Sequence, residues 1–123
     1  MKQLVLAVLF ISALAWQVKE SSSLSNTKWS GSMNVPDPMG VVLDFKTDTL
    51  TVLIGEEIVE SMSYTVSGDT LKIKKLFGSS PCGDEEGKYK YTIKNDLLTI
   101  AEVEDACSLR AAAFSPAGYK KEK

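Results

Sequence analysis

The side chains in this sequence with the chemistry to react or bind are few and of restricted type. There is no histidine, so proton transfer near neutral pH would fall to carboxylates, Lys75, a tyrosine or an unaided serine. Ser21-Ser22-Ser23 and Ser79-Ser80 have no base beside them, and the carboxylate pairs Glu56-Glu57 and Glu85-Glu86 fall in turns. No glycine-rich phosphate loop and no metal-ligand spacing occurs. The sequence therefore reads as non-enzymatic, without cofactor or metal. What remains suits recognition. Arg110 carries a planar donor fork that fits a carboxylate. Glu60, Lys75 and Glu102 can orient a polar group, Met62 adapts to irregular shapes, and Tyr64, Tyr89 and Tyr91 combine an apolar ring with a polar tip.

These residues gain meaning from the strands that must carry them. From Thr27 onward the chain shows short alternating runs separated by turn residues. The pattern predicts eight strands over 28–35, 39–45, 49–54, 57–66, 70–77, 87–94, 97–103 and 108–114. Thr47-Asp48, Gly55-Glu56, Gly68-Asp69 and Asn95-Asp96 are tight-turn chemistry, because Asn, Asp and Gly tolerate the positive φ of hairpins. Turn positions fix register. Phe45 then opposes Leu50, Leu43 opposes Val52 and Val41 opposes Ile54. Val66 opposes Leu71 and Tyr64 opposes Ile73; Ile93 opposes Leu98 and Tyr91 opposes Ile100. Each hairpin acquires an apolar inner face. An open sheet of this kind would leave two bare edges and an uncovered apolar face. Closing it into an all-β, eight-stranded antiparallel up-and-down barrel removes both, with a two-sheet sandwich as the alternative.

Extending the inner face places Glu60, Met62, Lys75, Phe77, Tyr89, Glu102 and Arg110 inward. In an up-and-down barrel their strand ends share one pole, which becomes a polar mouth with Glu102 beside Arg110. Val66, Leu71, Ile93, Leu98, Phe45, Leu50, Trp29 and Phe114 collect at the other pole as a floor.

The N-terminus has the parts of a secretory signal peptide: Met1-Lys2, an apolar run from Leu4 to Leu14 broken by Ser12, and Ala13-Leu14-Ala15 as a small-x-small exit. The run is shorter than the roughly 20 residues that span a bilayer. The expected organisation is a leader over 1–15, a flexible lead-in over 16–26, the barrel over 27–116 and an exposed tail over 117–123. Export to a periplasmic or extracellular compartment makes the two cysteines, Cys82 and Cys107, a disulfide, worth roughly 3 kcal/mol in the chain-entropy picture. The formal net charge of −2 gives no electrostatic reason to expect nucleic acid, and no later stretch is apolar enough for a membrane span.

Several segments resemble one family. Thr27-Lys28-Trp29-Ser30-Gly31 is similar to the T-x-W-x-G opening of small bacterial lipocalin-like proteins of the calycin superfamily. Cys82 with Gly87-Lys88-Tyr89, and Asp105-Ala106-Cys107-Ser108-Leu109-Arg110, resemble that group's C…G-x-Y and D-x-C-x-x-R elements. Tyr64-Thr65-Val66 with Gly68-Asp69-Thr70-Leu71 resembles its central hairpin. The resemblance implies a barrel with one open end, often holding a small apolar molecule. The functional expectation is a monomeric, exported binding protein for a small amphipathic ligand, its apolar body over Phe114 and Ile100 and an acidic head at Arg110. The alternative is an exported protein-interaction module, such as a hydrolase inhibitor or envelope partner, with a filled interior and Gly78–Glu86 among the binding loops. Intact-mass analysis of exported protein is expected to give a chain starting at Trp16 with Cys82 and Cys107 oxidised. A retained leader, or two alkylatable thiols under non-reducing denaturing conditions, contradicts it.

Overall fold

The computed structural model describes residues 23–123; the expected leader over 1–15 lies outside them. Seven long strands follow one another: β1 (Thr27–Asn34), β2 (Pro38–Phe45), β3 (Thr49–Ile54), β4 (Glu57–Ser67), β5 (Thr70–Gly78), β6 (Glu86–Lys94) and β7 (Leu97–Asp105). A short helix, α1 (Ser108–Ala113), and a short strand, β8 (Tyr119–Lys121), complete the chain. All pairings are antiparallel between neighbours, and β8 closes the barrel by pairing with both β7 and β1. The turns work as their chemistry requires. Gly55, Gly68, Asn95 and Asp96 all have positive φ, the conformation that matches a two-residue turn to the twist of its strands. The apolar pairs fall where the turns put them: Phe45↔Leu50, Leu43↔Val52, Val66↔Leu71, Tyr64↔Ile73, Ile93↔Leu98 and Tyr91↔Ile100. The β2–β3 ladder ends at Val42↔Leu53, so Val41 and Ile54 do not pair.

The pole bearing the β2–β3, β4–β5 and β6–β7 turns is filled. Trp29 is buried there, its Nε1 donating to Thr27 Oγ1 at 2.8 Å, and Thr27 Oγ1 donates in turn to the Leu24 carbonyl. Leu24 is itself fully buried, so the expected flexible lead-in is tied down before it reaches residue 26. The Tyr64 ring packs edge-on against Phe45 with centroids 5.2 Å apart, and its hydroxyl donates to the Lys46 carbonyl. Gly31 is required by packing: a Cβ there would lie 2.5 Å from the Tyr119 ring. That ring is fully buried, and its hydroxyl accepts from the Ser115 amide at 2.9 Å.

Further expectations fail, each for a local reason. The segment expected as an eighth strand over 108–114 is α1, and the eighth strand comes from the segment expected as a tail. Leu109-Arg110-Ala111-Ala112-Ala113 explains the exchange, because alanine is the best helix former and a poor strand former. Phe114, expected at the floor, bridges Met33 near the opposite pole and packs edge-on against Tyr89 with centroids 5.1 Å apart. Phe77, expected inward, is 59% exposed. Met62 pairs with Lys75 and Ser61 with Phe77, which leaves Leu76 as an extra residue; a bulge of this kind reverses the alternation beyond it. Truncating the floor tests how tightly it is packed. Trp29→Ala is expected to cost about 3–5 kcal/mol in urea unfolding, and a loss below about 1 kcal/mol contradicts a packed floor.

Candidate ligand cavity and its buried ion pair

At the pole where β7 ends, the turn into α1 swings Arg110 back over Asp105. Arg110 Nε donates to Asp105 Oδ2 at 2.6 Å and Nη2 to Oδ1 at 2.7 Å, the two-pronged geometry of a strong carboxylate–guanidinium pair. Nη2 also donates to the Glu85 carbonyl at 2.9 Å. The Asp105 carboxylate accepts further bonds from the Cys107 amide at 2.9 Å and from the Tyr89 hydroxyl. Only 5% of the Arg110 side chain and none of the Asp105 side chain is exposed. Gly87 stands opposite Asp105 in the β6–β7 ladder, and a Cβ there would lie 2.4 Å from Oδ2. The glycine leaves the carboxylate its space. The Cys82–Cys107 disulfide, with Cα atoms 5.5 Å apart, ties the β5–β6 loop to the start of α1, which keeps the Glu85 carbonyl beside the guanidinium.

Burial alone would raise the Asp105 pKa, but the bonds from Arg110, Tyr89 and the Cys107 amide outweigh it and hold the carboxyl below its ordinary value. The hydrogen bonds that Arg110 donates to Asp105 raise the guanidinium pKa further, against the effect of burial. Burial, then the neighbouring Asp105, push the Tyr89 phenol far above the ordinary tyrosine range. The cluster is thus a fixed guanidinium, a fixed carboxylate and a neutral phenol, poorly suited to proton transfer at neutral pH. One polar atom is left over: Arg110 Nη1 is buried without a hydrogen-bond partner among the described residues.

Beside this pair the barrel encloses a cavity of about 460 Å³. Its walls are mainly apolar, from Met33, Val52, Ile54, Val59, Met62, Ala113 and Phe114, with Arg110 and Glu60 as the charged contributors. Glu60 is held by the β5–β6 loop: its carboxylate accepts from the Ser80 amide at 3.0 Å and from the Ser80 hydroxyl, while Lys75 Nζ donates to the Ser80 carbonyl. Gly78 has φ +145 and sits against Glu60, where a Cβ would lie 2.2 Å from Oε1. The loop is thereby folded over the cavity with Ser79, Ser80 and Pro81 in its wall. A second hollow, on the outer surface between the β6–β7 hairpin and β8, is lined largely by exposed polar and lysine side chains.

Of the residues singled out from sequence, Arg110, Glu60 and Met62 meet in the cavity wall. Lys75 acts one step behind it through Ser80, and Tyr89 lies beneath Arg110 through Asp105. Glu102, expected to hold Arg110, is exposed, and Asp105 takes that role. Tyr64 and Tyr91 lie at the filled pole, bonded to the Lys46 and Gly68 carbonyls, and are outside the cavity wall. Sequence reasoning misses Asp105 as the partner, although it stands in the same D-x-C-x-x-R segment as Arg110. It also misses Ser80; a loop serine bonded to a strand glutamate leaves no periodic signal. Cys82 and Cys107 form the expected disulfide. Compared with protein families, with curated proteins and with solved structures, the chain matches none.

Removing Asp105 leaves a buried guanidinium with little but a carbonyl to face. Asp105→Ala is expected to cost about 3–5 kcal/mol near pH 7. The folded pKa of Asp105 is depressed, so its contribution is fully present above the unfolded value of about 3.9 and disappears as pH falls through the lower folded value. The stability gap between wild type and variant should therefore close below about pH 4. A gap under about 1 kcal/mol at pH 7, or one that widens in acid, contradicts the pair's role.

Proposed function

We propose that this chain is an exported, lipocalin-like binding protein that holds one small amphipathic molecule in the cavity under α1. The observation that carries the reading is an apolar cavity of about 460 Å³ with Arg110 and Glu60 as its charged lining residues. Small-molecule sites are typically about 300–1,000 Å³, mostly apolar, with a few placed polar groups that fix orientation. A filled interior is the mark of the interaction-only alternative, and the space at this pole argues against it. The disulfide supports export, since such bonds persist in oxidising compartments. The up-and-down barrel and the joint placement of Cys82, Gly87, Tyr89, Asp105, Cys107 and Arg110 support the lipocalin-like resemblance.

The chemistry of the head group differs from the acidic one expected from sequence. Asp105 already neutralises Arg110, and Glu60 adds a negative charge to the same wall. A full anion would gain little net attraction and would meet that carboxylate. An uncharged acceptor, such as a carbonyl, ester or hydroxyl oxygen on an apolar body, can face Arg110 without that repulsion. Long-chain esters, alcohols and acids of equal length provide the test, read by NMR at the Met33 and Met62 methyl groups. Esters and alcohols are expected to bind at least as tightly as the acids. Ala113→Met, which fills the cavity without touching the ion pair, is expected to weaken binding at least about tenfold at the modest stability cost of overpacking. Absence of binding by every probe, or binding indifferent to Ala113→Met, overturns the proposal.

A further inference from the structure

The surface around the cavity mouth has a composition found nowhere else on the described residues. Every exposed large apolar side chain lies at this pole. Val35 is in the β1–β2 connection and Met39 and Ile58 begin β2 and β4. Leu76 and Phe77 end β5, Val103 is near the end of β7, and Leu109 is on α1. Val35 and Leu109 also line the cavity, so this collar is continuous with its opening. The charges at the same pole are mostly acidic. Glu56, Glu57, Asp84, Glu86, Glu102 and Glu104 are all exposed, and none forms an ion pair within the described residues. The ion pairs Lys46–Asp44 and Lys90–Asp69 belong to the opposite pole, where lysines such as Lys94, Lys120 and Lys121 predominate.

Exposed apolar side chains gathered at one place mark an interaction surface, and the charge around them selects what can approach. An anionic bilayer is repelled by an acidic rim. Two copies meeting mouth to mouth would set carboxylate against carboxylate, which is costly. The lysine-rich pole of a second copy complements the charge but, among the described residues, offers no exposed large apolar side chain to cover the collar. We infer that the mouth is a docking surface for a different protein, one that presents an apolar knob ringed by lysine or arginine. The inference is independent of what the cavity holds, because it rests on the outer collar.

The test is an NMR titration of the full protein with a helical Leu/Lys peptide, its Leu/Glu counterpart and phosphatidylglycerol vesicles. The Leu/Lys peptide is expected to bind with shifts confined to the mouth. Glu86→Lys with Glu102→Lys and Glu104→Lys should weaken it at least about tenfold, chiefly through rim electrostatics that salt also screens. Phe77→Ser with Val103→Ser should weaken it by a similar factor at any salt concentration. Both sets alter exposed positions, so the fold is retained. The inference is overturned if the Leu/Lys peptide does not bind or binds equally to both variants. It is also overturned if the Leu/Glu peptide or the vesicles bind as tightly.

Discussion

A guanidinium and a carboxylate locked together out of water govern one whole end of this barrel. Taking two such charges from solvent costs several kcal/mol each, and their attraction offsets this only when geometry is good and the remaining donors and acceptors are satisfied. Here Asp105 meets that condition through Arg110, Tyr89 and the Cys107 amide. Each partner is placed by a separate device. The β6–β7 ladder sets Tyr89 near Asp105, Gly87 clears the space, α1 turns Arg110 inward, and the disulfide anchors the loop whose Glu85 carbonyl takes one more guanidinium proton. Without the pair, α1 would be held against the barrel by the disulfide at its start, the Asn34 bond to the Ala112 carbonyl and its short alanines.

The two poles divide the work of folding and of binding. At the filled pole large side chains interlock: Trp29, Phe45, Tyr64, Leu71 and Tyr119 bury their rings and branches, and their polar tips find the Thr27 hydroxyl, the Lys46 carbonyl and the Ser115 amide. At the other pole a helix replaces the first half of the eighth strand. Its small residues stand off from the facing wall, and the space this leaves is the cavity. An eight-stranded barrel is only just wide enough for such a choice between filling and enclosing. The same substitution of helix for strand supplies both the space and the buried cation beside it.

How much of this was legible depended on the range of the signal. Hairpin register follows from local rules, because Gly68-Asp69 and Asn95-Asp96 fix their turns and alternation then assigns faces; the pairs Val66↔Leu71 and Ile93↔Leu98 came out as read. Phe77 did not, since a bulge at Leu76 inserts one residue that no turn residue announces, and every face beyond it reverses. The eighth strand was misplaced because Ala111-Ala112-Ala113 carries no alternation, whereas Tyr119 is separated from its partners on β1 and β7 by most of the chain or by a helix. Arg110 was legible as an inward charge, yet its partner was not: facing pairs predict Glu102, and only the turn after β7 brings Arg110 back over Asp105.

The architecture of this pole turns on the protonation state of one carboxyl. If Asp105 is held by Arg110, Tyr89 and the Cys107 amide as described, it stays ionised well into acid despite its burial. Following the Asp105 side-chain carboxyl carbon by NMR as pH is lowered reads this directly. The account predicts a midpoint below the ordinary aspartate range, with the Tyr89 and Cys107 signals moving in step. A midpoint at or above that range would mean that burial outweighs the pair, and would contradict the central role given to it.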